Sequence, residues 1–296
     1  MAMEVHALAG GFAAEVRGVK LWEPLASADL ERLRRLYAEH GVLVFRRQCL
    51  SEHEYADFCA SFGALERTVR TDWASRVRPE VGLITNLKDS SGNALGGLGD
   101  GELKWHSDQS YMANPATGAG LYAVEIANQG GRTYWANLID AYAALPESLK
   151  QAVEGKNAVF RYQKRLNLYK GDDQKLPEEG RKRTPDVIHP LVHTHPLTGK
   201  KALYLDPTTS IGIVGMPDLE ANQLLDELAE LATRPEFVYA HDWQVGDTLL
   251  WSNGFLLHRR DPFPPTERRL MKRTTIHLPA DQHIVPKTIL PAELAA

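Results

Sequence analysis

The sequence has few cysteines and no excess of charge of either sign. Cys49 and Cys59 are the two cysteines among 296 residues, too few for a disulfide framework. Lysine and arginine number 34 against 38 acidic residues, a net charge of −4, so no basic surplus indicates binding to nucleic acid or to an anionic membrane. The longest apolar runs, such as Gly41–Phe45, fall far short of the roughly 20 residues that span a membrane. These absences favour a soluble globular protein of the reducing cytoplasm.

Helical periodicity is confined to four segments. The predicted helices are Ser27–His40, Ser51–Ser61, Asp140–Glu154 and Pro217–Thr233. Ser27 is expected to cap the first helix, and Ser51 forms a capping box with Glu54 at the start of the second.

Most other apolar runs are short and rich in β-forming residues. The predicted strands are Val42–Phe45, Val81–Thr85, Gly120–Ile126, Ala202–Leu205, Phe237–Ala240, Thr248–Trp251 and Thr274–Leu278. Many short strands with few helices favour a sandwich or barrel over a doubly wound sheet. We expect one domain over residues 1–296, mainly β with flanking helices.

Two irregular stretches interrupt this pattern. The glycine-rich Ser90–Gly101 lies inside the first, segment 67–103, and the charged Lys164–Asp186 lies inside the second, segment 164–188. Long loops in compact domains often cover active sites, so both segments are candidate lids. The alternative is that each is a solvated surface loop.

The strongest chemical motif is Trp105-His106-Ser107-Asp108. Residues two apart on an extended strand point to the same side, so His106 and Asp108 can offer an imidazole and a carboxylate to one metal ion. His258 follows an apolar segment and is a candidate third ligand. Two histidines and a carboxylate are the ligand set of non-haem Fe(II) oxygenases, although zinc hydrolases also use them.

Arginines follow this third ligand. Arg273 stands at the start of the predicted strand Thr274–Leu278, and an arginine that enters a core normally needs an anionic partner. The far carboxylate of a chelated dicarboxylate would be one such partner. A protein Glu or Asp at a sheet edge is the alternative.

Several segments together resemble the taurine dioxygenase and 2,4-dichlorophenoxyacetate dioxygenase family of Fe(II)/2-oxoglutarate-dependent oxygenases. The resemblance covers nearly the whole chain and includes Ala14–Val19, Gly41–Arg46, Trp105–Tyr111, Gly130–Thr133, Thr194–Lys200, Val245–Asp247 and His258–Arg273.

The resemblance implies a double-stranded β-helix, a cupin-like jelly roll with helices outside. It implies His106, Asp108 and His258 as the iron ligands, and Fe(II), 2-oxoglutarate and O2 as cofactor and cosubstrates. Arg273 and Thr133 would bind the distal carboxylate of 2-oxoglutarate, with Arg269 as a second arginine near it. The implied product set is succinate, CO2 and a substrate oxidised at a C–H bond. Relatives form dimers or tetramers, so we expect a homo-oligomer.

The substrate is expected to be a small organic acid. Taurine is doubtful, because Thr68 stands where the taurine enzymes carry a substrate-binding histidine. Arg67, Thr68 and Arg70 are the candidate substrate contacts. The carboxylate of Asp108 favours hydroxylation over halogenation, since halogenating relatives lack it. Desaturation and ring formation would use the same site and stay open.

Two further hypotheses belong to other classes. One is a non-redox jelly-roll hydrolase or isomerase with Zn or Ni in the metal site, which would have no use for Arg273 and Thr133. The other is a binding protein that keeps the fold and has lost catalysis.

Overall fold

The computed structural model describes residues 3–8, 10–68, 71–162 and 185–289. The helices with described bounds are α1 (Ser27–His40), α2 (Glu52–Ala60), α3 (Leu138–Ala143), α4 (Glu147–Val153) and α5 (Asp218–Ala232). The strands of the first half are β1 (Glu4–Ala7), β2 (Ala13–Arg17), β3 (Val42–Phe45), β4 (Ala64–Glu66), β5 (Val81–Thr85), β6 (Gly97–Leu98), β7 (Leu103–His106), β8 (Gly118–Glu125) and β9 (Thr133–Asn137). The strands of the second half are β10 (Asn157–Phe160), β11 (Val187–Pro190), β12 (Val192–Thr194), β13 (Lys201–Leu203), β14 (Ser210–Ile213), β15 (Val238–His241), β16 (Thr248–Ser252), β17 (Leu256–Arg260) and β18 (Leu270–His277).

Two sheets form the centre of the protein. The larger has the strand order β1-β2-β3-β16-β8-β18-β5-β6, with β4 also paired to β18, and the smaller has the order β15-β9-β17-β7. Trp135 from the smaller sheet and Trp251 and Met271 from the larger belong to one buried apolar cluster. The two sheets therefore share a hydrophobic core, and the chain is mainly β with few helices.

Strands buried on both faces explain the continuous apolar runs. In β3, Leu43 and Phe45 pack with side chains of α1 and α2, while Val42 and Val44 belong to the cluster between the sheets. Successive side chains of a strand point to opposite faces, so a strand covered on both sides needs apolar residues at every position.

A second layer of structure packs beside the small sheet. It contains α3 to α5 and the short strands β10 to β14, which form a three-stranded and a two-stranded sheet. Helix α3 contacts β13 and α5 contacts β14, around a buried cluster that includes Leu203, Leu225 and Leu228.

The helix predictions were largely confirmed, with two corrections. Ser51 and Glu54 form the predicted capping box of α2. Ser27 does not cap α1, because the N-cap residue is Ala26 and no side chain caps it. The helix predicted over Asp140–Glu154 is two helices, α3 and α4, separated at Pro146, which lacks the N–H that a continuous helix requires.

The predicted strands are present; β3 and β5 have the predicted bounds, and the others have shifted ends. The largest shift is in β18, which begins at Leu270 and not at Thr274, so Arg273 lies inside the sheet and not at its margin. The predicted strands do not include β9 or β17, which carry Thr133 and His258, and the strand expected to hold both His106 and Asp108 is β7, which ends at His106. Among the helices that the structure describes, none has the length and apolar character required to cross a membrane.

Candidate active site

Antiparallel pairing of β7 with β17 sets His106 directly opposite His258. Side chains of opposed residues project from the same face of a sheet, and the centroids of these two imidazole rings are 4.1 Å apart. Both histidines are buried. The pairing thus brings together two candidate ligands from distant parts of the chain.

Asp108 lies in the turn that follows β7. The strand ends at His106, so the side-by-side placement on a strand that the sequence predicted for His106 and Asp108 is wrong. Instead, the turn directs the carboxylate to the histidines. The next residue, Gln109, has a φ of 54°, in the left-handed region of backbone conformation. Oδ1 of Asp108 lies 3.9 Å from Nε2 of His106, and Oδ2 lies 3.7 Å from Nε2 of His258.

These three side chains fit a metal ion. One ligand atom from each lies within 4.8 Å of the other two. Atoms bound at about 2.1 Å from one ion are about 3–4 Å apart, which these positions approach. The carbonyl oxygen of Lys104 lies 2.7 Å from Nδ1 of His106 and holds the proton on that nitrogen, so Nε2 carries the lone pair on the side of Asp108. Two imidazoles and a carboxylate suit Fe(II), and zinc accepts the same donors.

The histidines at 189, 193 and 195 do not form a comparable group. Within the described ranges, the triad is the one cluster of three or more potential ligands close enough to share an ion. Nε2 of His189 lies 3.1 Å from the carbonyl oxygen of Met112. Burial lowers the pKa of the half-buried His193 to about 4, so this side chain is neutral at neutral pH.

The triad borders a cavity of about 110 Å³. Its apolar lining consists of Trp73, Ile84, Leu98, Leu103, Leu121 and Trp251. Its basic lining consists of Arg259, Arg260, Arg269 and Arg273. Asp108 is the one acidic residue among the described lining residues. The cavity therefore suits an anionic molecule with an apolar part.

Two of these arginines are bound by the protein itself. Arg259 pairs with Asp261 at 2.6 Å, and its guanidinium lies 3.7 Å from the centroid of the Tyr134 ring. Arg260 donates hydrogen bonds to the carbonyl oxygens of Leu98, at 2.9 Å, and Gly101, at 2.5 Å. Arg259 is thus part of a salt-bridged rim, and Arg260 anchors the glycine-rich segment.

Arg273 reaches the triad directly. It lies in β18 opposite Gly82 of β5 and Leu121 of β8. Its Nη2 lies 2.7 Å from Oδ2 of Asp108, and a quarter of its side chain is exposed. Arg273 is therefore positioned beside the metal-binding carboxylate, where an anion in the cavity can also contact it.

Arg269 differs from the other three arginines. Like Arg260 it is 3% exposed, but among the described residues its guanidinium pairs with neither an acidic side chain nor a backbone carbonyl. Burial and, to a lesser extent, the charge of Arg260 lower the pKa of Arg269 to about 9, so the guanidinium is still protonated at neutral pH. A buried cation without a counter-charge is costly, and an anion bound there would offset that cost.

Thr133, the first residue of β9, lines the same cavity and lies opposite Arg260 in the sheet. Its Oγ1 accepts a hydrogen bond of 2.9 Å from Nε1 of Trp243. Because the oxygen already accepts this bond, the Thr133 hydroxyl can donate its hydrogen to a bound anion. Trp243 was not predicted as a site residue, because no local motif marks it. The centroids of its ring and of the His241 ring are 4.6 Å apart.

The candidate substrate residues lie in different environments. A Cβ atom placed on Gly82 would lie 3.5 Å from Oγ1 of Thr68, and Gly82 is the strand partner of Arg273. Thr68 therefore lies on the same face of the sheet as Arg273. Arg67 is exposed and does not line the cavity. Arg70 lies outside the described residues.

The chain is similar to known dioxygenases over most of its length. A family model described as "Taurine catabolism dioxygenase TauD, TfdA family" matches residues 4–275. The alpha-ketoglutarate-dependent 2,4-dichlorophenoxyacetate dioxygenase of Cupriavidus pinatubonensis is 35% identical over 89% of this chain and 94% of its own length. The (S)-phenoxypropionate/alpha-ketoglutarate-dioxygenase of Sphingobium herbicidovorans is 33% identical over 93% of this chain and 95% of its own.

The fold is also similar to that of a solved structure. A crystal structure of AAD-2 in complex with Mn(II) and N-oxalylglycine superposes with a TM-score of 0.80 and 28% identity, covering 94% of this chain and 98% of that one. The range matched by the family model includes all three residues of the triad. The chain belongs to the TauD/TfdA family of dioxygenases.

Proposed function

We propose that this protein uses Fe(II), 2-oxoglutarate and O2 to hydroxylate, or otherwise oxidise at a C–H bond, a small organic acid. The observation that carries the proposal is the buried His106–Asp108–His258 group beside a cavity lined by four arginines and apolar side chains. When bound, the iron and its cosubstrates supply the oxidising power, with succinate and CO2 as co-products.

Arg269 and Thr133 are the proposed binding site for the distal carboxylate of 2-oxoglutarate. The support is the burial of the Arg269 guanidinium without an acidic partner among the described residues, and the donor hydrogen of Thr133. The sequence placed Arg273 in this role and Arg269 beside it. The ion pair of Arg273 with Asp108 favours the reverse order.

Arg273 is the proposed contact for the acid group of the substrate. It reaches the carboxylate of a metal ligand and stays partly exposed, so an acid held by it would lie next to the metal. The apolar residues of the cavity would pack against the remainder of such a molecule. This arrangement supports an apolar, ring-containing acid better than taurine.

We also propose that the two central sheets form a double-stranded β-helix and that residues 1–296 are one domain. The support is the apolar cluster shared by both sheets and the span of the family match. The first lid segment, 67–103, is supported by Trp73 and Leu98, which line the cavity. Of the second, 164–188, residues 164–184 lie outside the described residues.

Removing a ligand should abolish metal binding. His106→Ala, Asp108→Ala or His258→Ala should raise the Kd for Mn(II) by at least about 100-fold, because each removes one of three ligands. Mn(II) binding can be followed by electron paramagnetic resonance without any turnover. His53→Ala, an exposed histidine, is the matched control. Affinity equal to that of the control in any of the three variants would remove that residue from the triad.

The substrate class is tested by succinate release. The enzyme is incubated with Fe(II), 2-oxoglutarate and one of three compounds: an aryloxyacetic acid, its uncharged methyl ester, or taurine. We expect the acid to stimulate succinate formation about 10-fold or more over its ester, the range that a charge-assisted hydrogen bond provides. Equal stimulation by acid and ester would contradict an acid substrate.

The two arginines should have separable effects. Arg269→Gln should raise the KM for 2-oxoglutarate about 10- to 100-fold with little effect on that of the acid, and Arg273→Gln should do the opposite. Arg268→Gln, which alters an exposed arginine paired with Glu125, is the control. If Arg273→Gln raised the 2-oxoglutarate KM and Arg269→Gln did not, the assignment made from the sequence would be right.

The lid is tested at two glycines of the 97–101 segment. A methyl group at Gly97 would lie 2.0 Å from Cε2 of Trp73, whereas one at Gly101 would meet no atom within 4 Å. Gly97→Ala should displace Trp73 and raise the KM for the acid about 10-fold at an unchanged 2-oxoglutarate KM, while Gly101→Ala should change neither. An unchanged acid KM in a folded Gly97→Ala variant is the result that rules out this cover.

A further inference from the structure

Asp206 is a fully buried carboxylate outside the triad. It lies in the loop between β13 and β14, in the layer beside the small sheet. The hydrogen bonds described for its side chain come from neutral donors, two to each oxygen. A buried carboxylate stabilised by hydrogen bonds alone needs most of its lone pairs satisfied, so these bonds hold its neighbours firmly in place.

The two oxygens of Asp206 bind different segments. Oδ1 accepts from the backbone N–H of Thr208, at 2.8 Å, and from its hydroxyl, at 2.7 Å. Oδ2 accepts from the backbone N–H of Ser107, at 3.1 Å, and from the hydroxyl of Ser110, at 2.6 Å. The carboxylate therefore ties its own loop to the turn that carries the metal ligands.

Ser107 lies between His106 and Asp108 in the chain. Its N–H is held by Asp206, and its hydroxyl donates to the carbonyl oxygen of Asn253 at 3.1 Å. Asn253 belongs to the turn between β16 and β17, and β17 carries His258. Ser107, between two candidate ligands, is thus held at two points. Asp206 holds its N–H, and its hydroxyl is bound by the turn that precedes the strand of His258.

We propose that Asp206 is a positioning residue that sets the metal affinity of the triad by holding the 106–110 turn. This inference rests on the metal site of the proposed function. An ionised acceptor binds the Ser107 N–H more strongly than a neutral one, and its negative charge near the site favours a dication. Outer residues that orient ligands typically change metal affinity about 10- to 100-fold.

Three variants separate positioning from general support of the fold. Asp206→Asn removes the charge and leaves one acceptor oxygen. Ser110→Ala removes a hydroxyl bond from the turn, and Thr208→Ala removes an equivalent hydroxyl bond of similar length from the opposite oxygen. Thr209→Val is added because Ser110 also lies 2.8 Å from the Thr209 hydroxyl. For each, the Kd for Mn(II) is measured without turnover, with the Tm in the presence and absence of Mn(II).

We expect Asp206→Asn to weaken Mn(II) binding about 10- to 100-fold and Ser110→Ala about 10-fold. Thr208→Ala and Thr209→Val should stay within about twofold of the wild type, even where their Tm is lowered. If Ser110→Ala binds Mn(II) as the wild type does, or if Thr208→Ala weakens binding equally, Asp206 supports the fold only and the proposal is wrong. Ser110→Ala decides the question should Asp206→Asn fail to fold.

Asp108→Ala distinguishes this failure from failure of the proposed function. If the wild type and Asp108→Ala bind Mn(II) equally, the triad is not the metal site. If Asp108→Ala loses Mn(II) while Ser110→Ala and Asp206→Asn retain it, the metal site stands and only the role of Asp206 is refuted.

Discussion

The pairing of β17 with its two neighbours is the contact on which the site depends. On one side β17 meets β7 and sets His258 opposite His106; on the other it meets β9 and sets Arg260 opposite Thr133. A shift of one residue in this register would turn every side chain of β17 to the other face of the sheet. The β9 pairing is regular through all of β17, so it fixes the register, and the irregularity after His258 is confined to the β7 side.

Positive charge is the second constraint on the cavity. Arg260 and Arg269 are both nearly fully buried, and the charge of Arg260 helps to lower the pKa of Arg269, while Asp108 is the acid among the described lining residues. Arg260 is engaged by backbone carbonyls of the 98–101 segment. The two arginines that remain to bind an anion in the cavity are Arg269, which is buried, and Arg273, which lies beside Asp108. Two anions, a dicarboxylic cosubstrate and an acid substrate, match this distribution of charge.

The sequence predicted the chemistry of the site better than its geometry. The His-x-Asp motif and the downstream histidine and arginines were found from residue types and spacing, as were β3 and β5, because strands buried on both faces are continuously apolar. β17 escaped prediction because it carries His258 and two arginines, and its burial comes from tertiary packing rather than from an apolar pattern. The break at Pro146 follows from a local rule and was predictable.

Other features depend on contacts between distant segments. Asp206 reaches Ser107 across 99 positions of the chain, and Trp243 reaches Thr133 across 110. No periodicity or motif encodes such contacts in a single sequence. The environments of Arg269 and Arg273 also required the structure, because burial and ion pairing, rather than spacing from His258, distinguish their proposed roles.

Anaerobic titration with 2-oxoglutarate, followed by visible absorption, tests the central claim most directly. Fe(II) is first bound to the protein and its stoichiometry is measured, and then 2-oxoglutarate is added without any substrate. We predict a metal-to-ligand charge-transfer band that requires both components and is absent from Asp108→Ala. Iron bound in the wild type with no band at saturating 2-oxoglutarate would mean that the cosubstrate does not chelate the metal, and would contradict the proposed function.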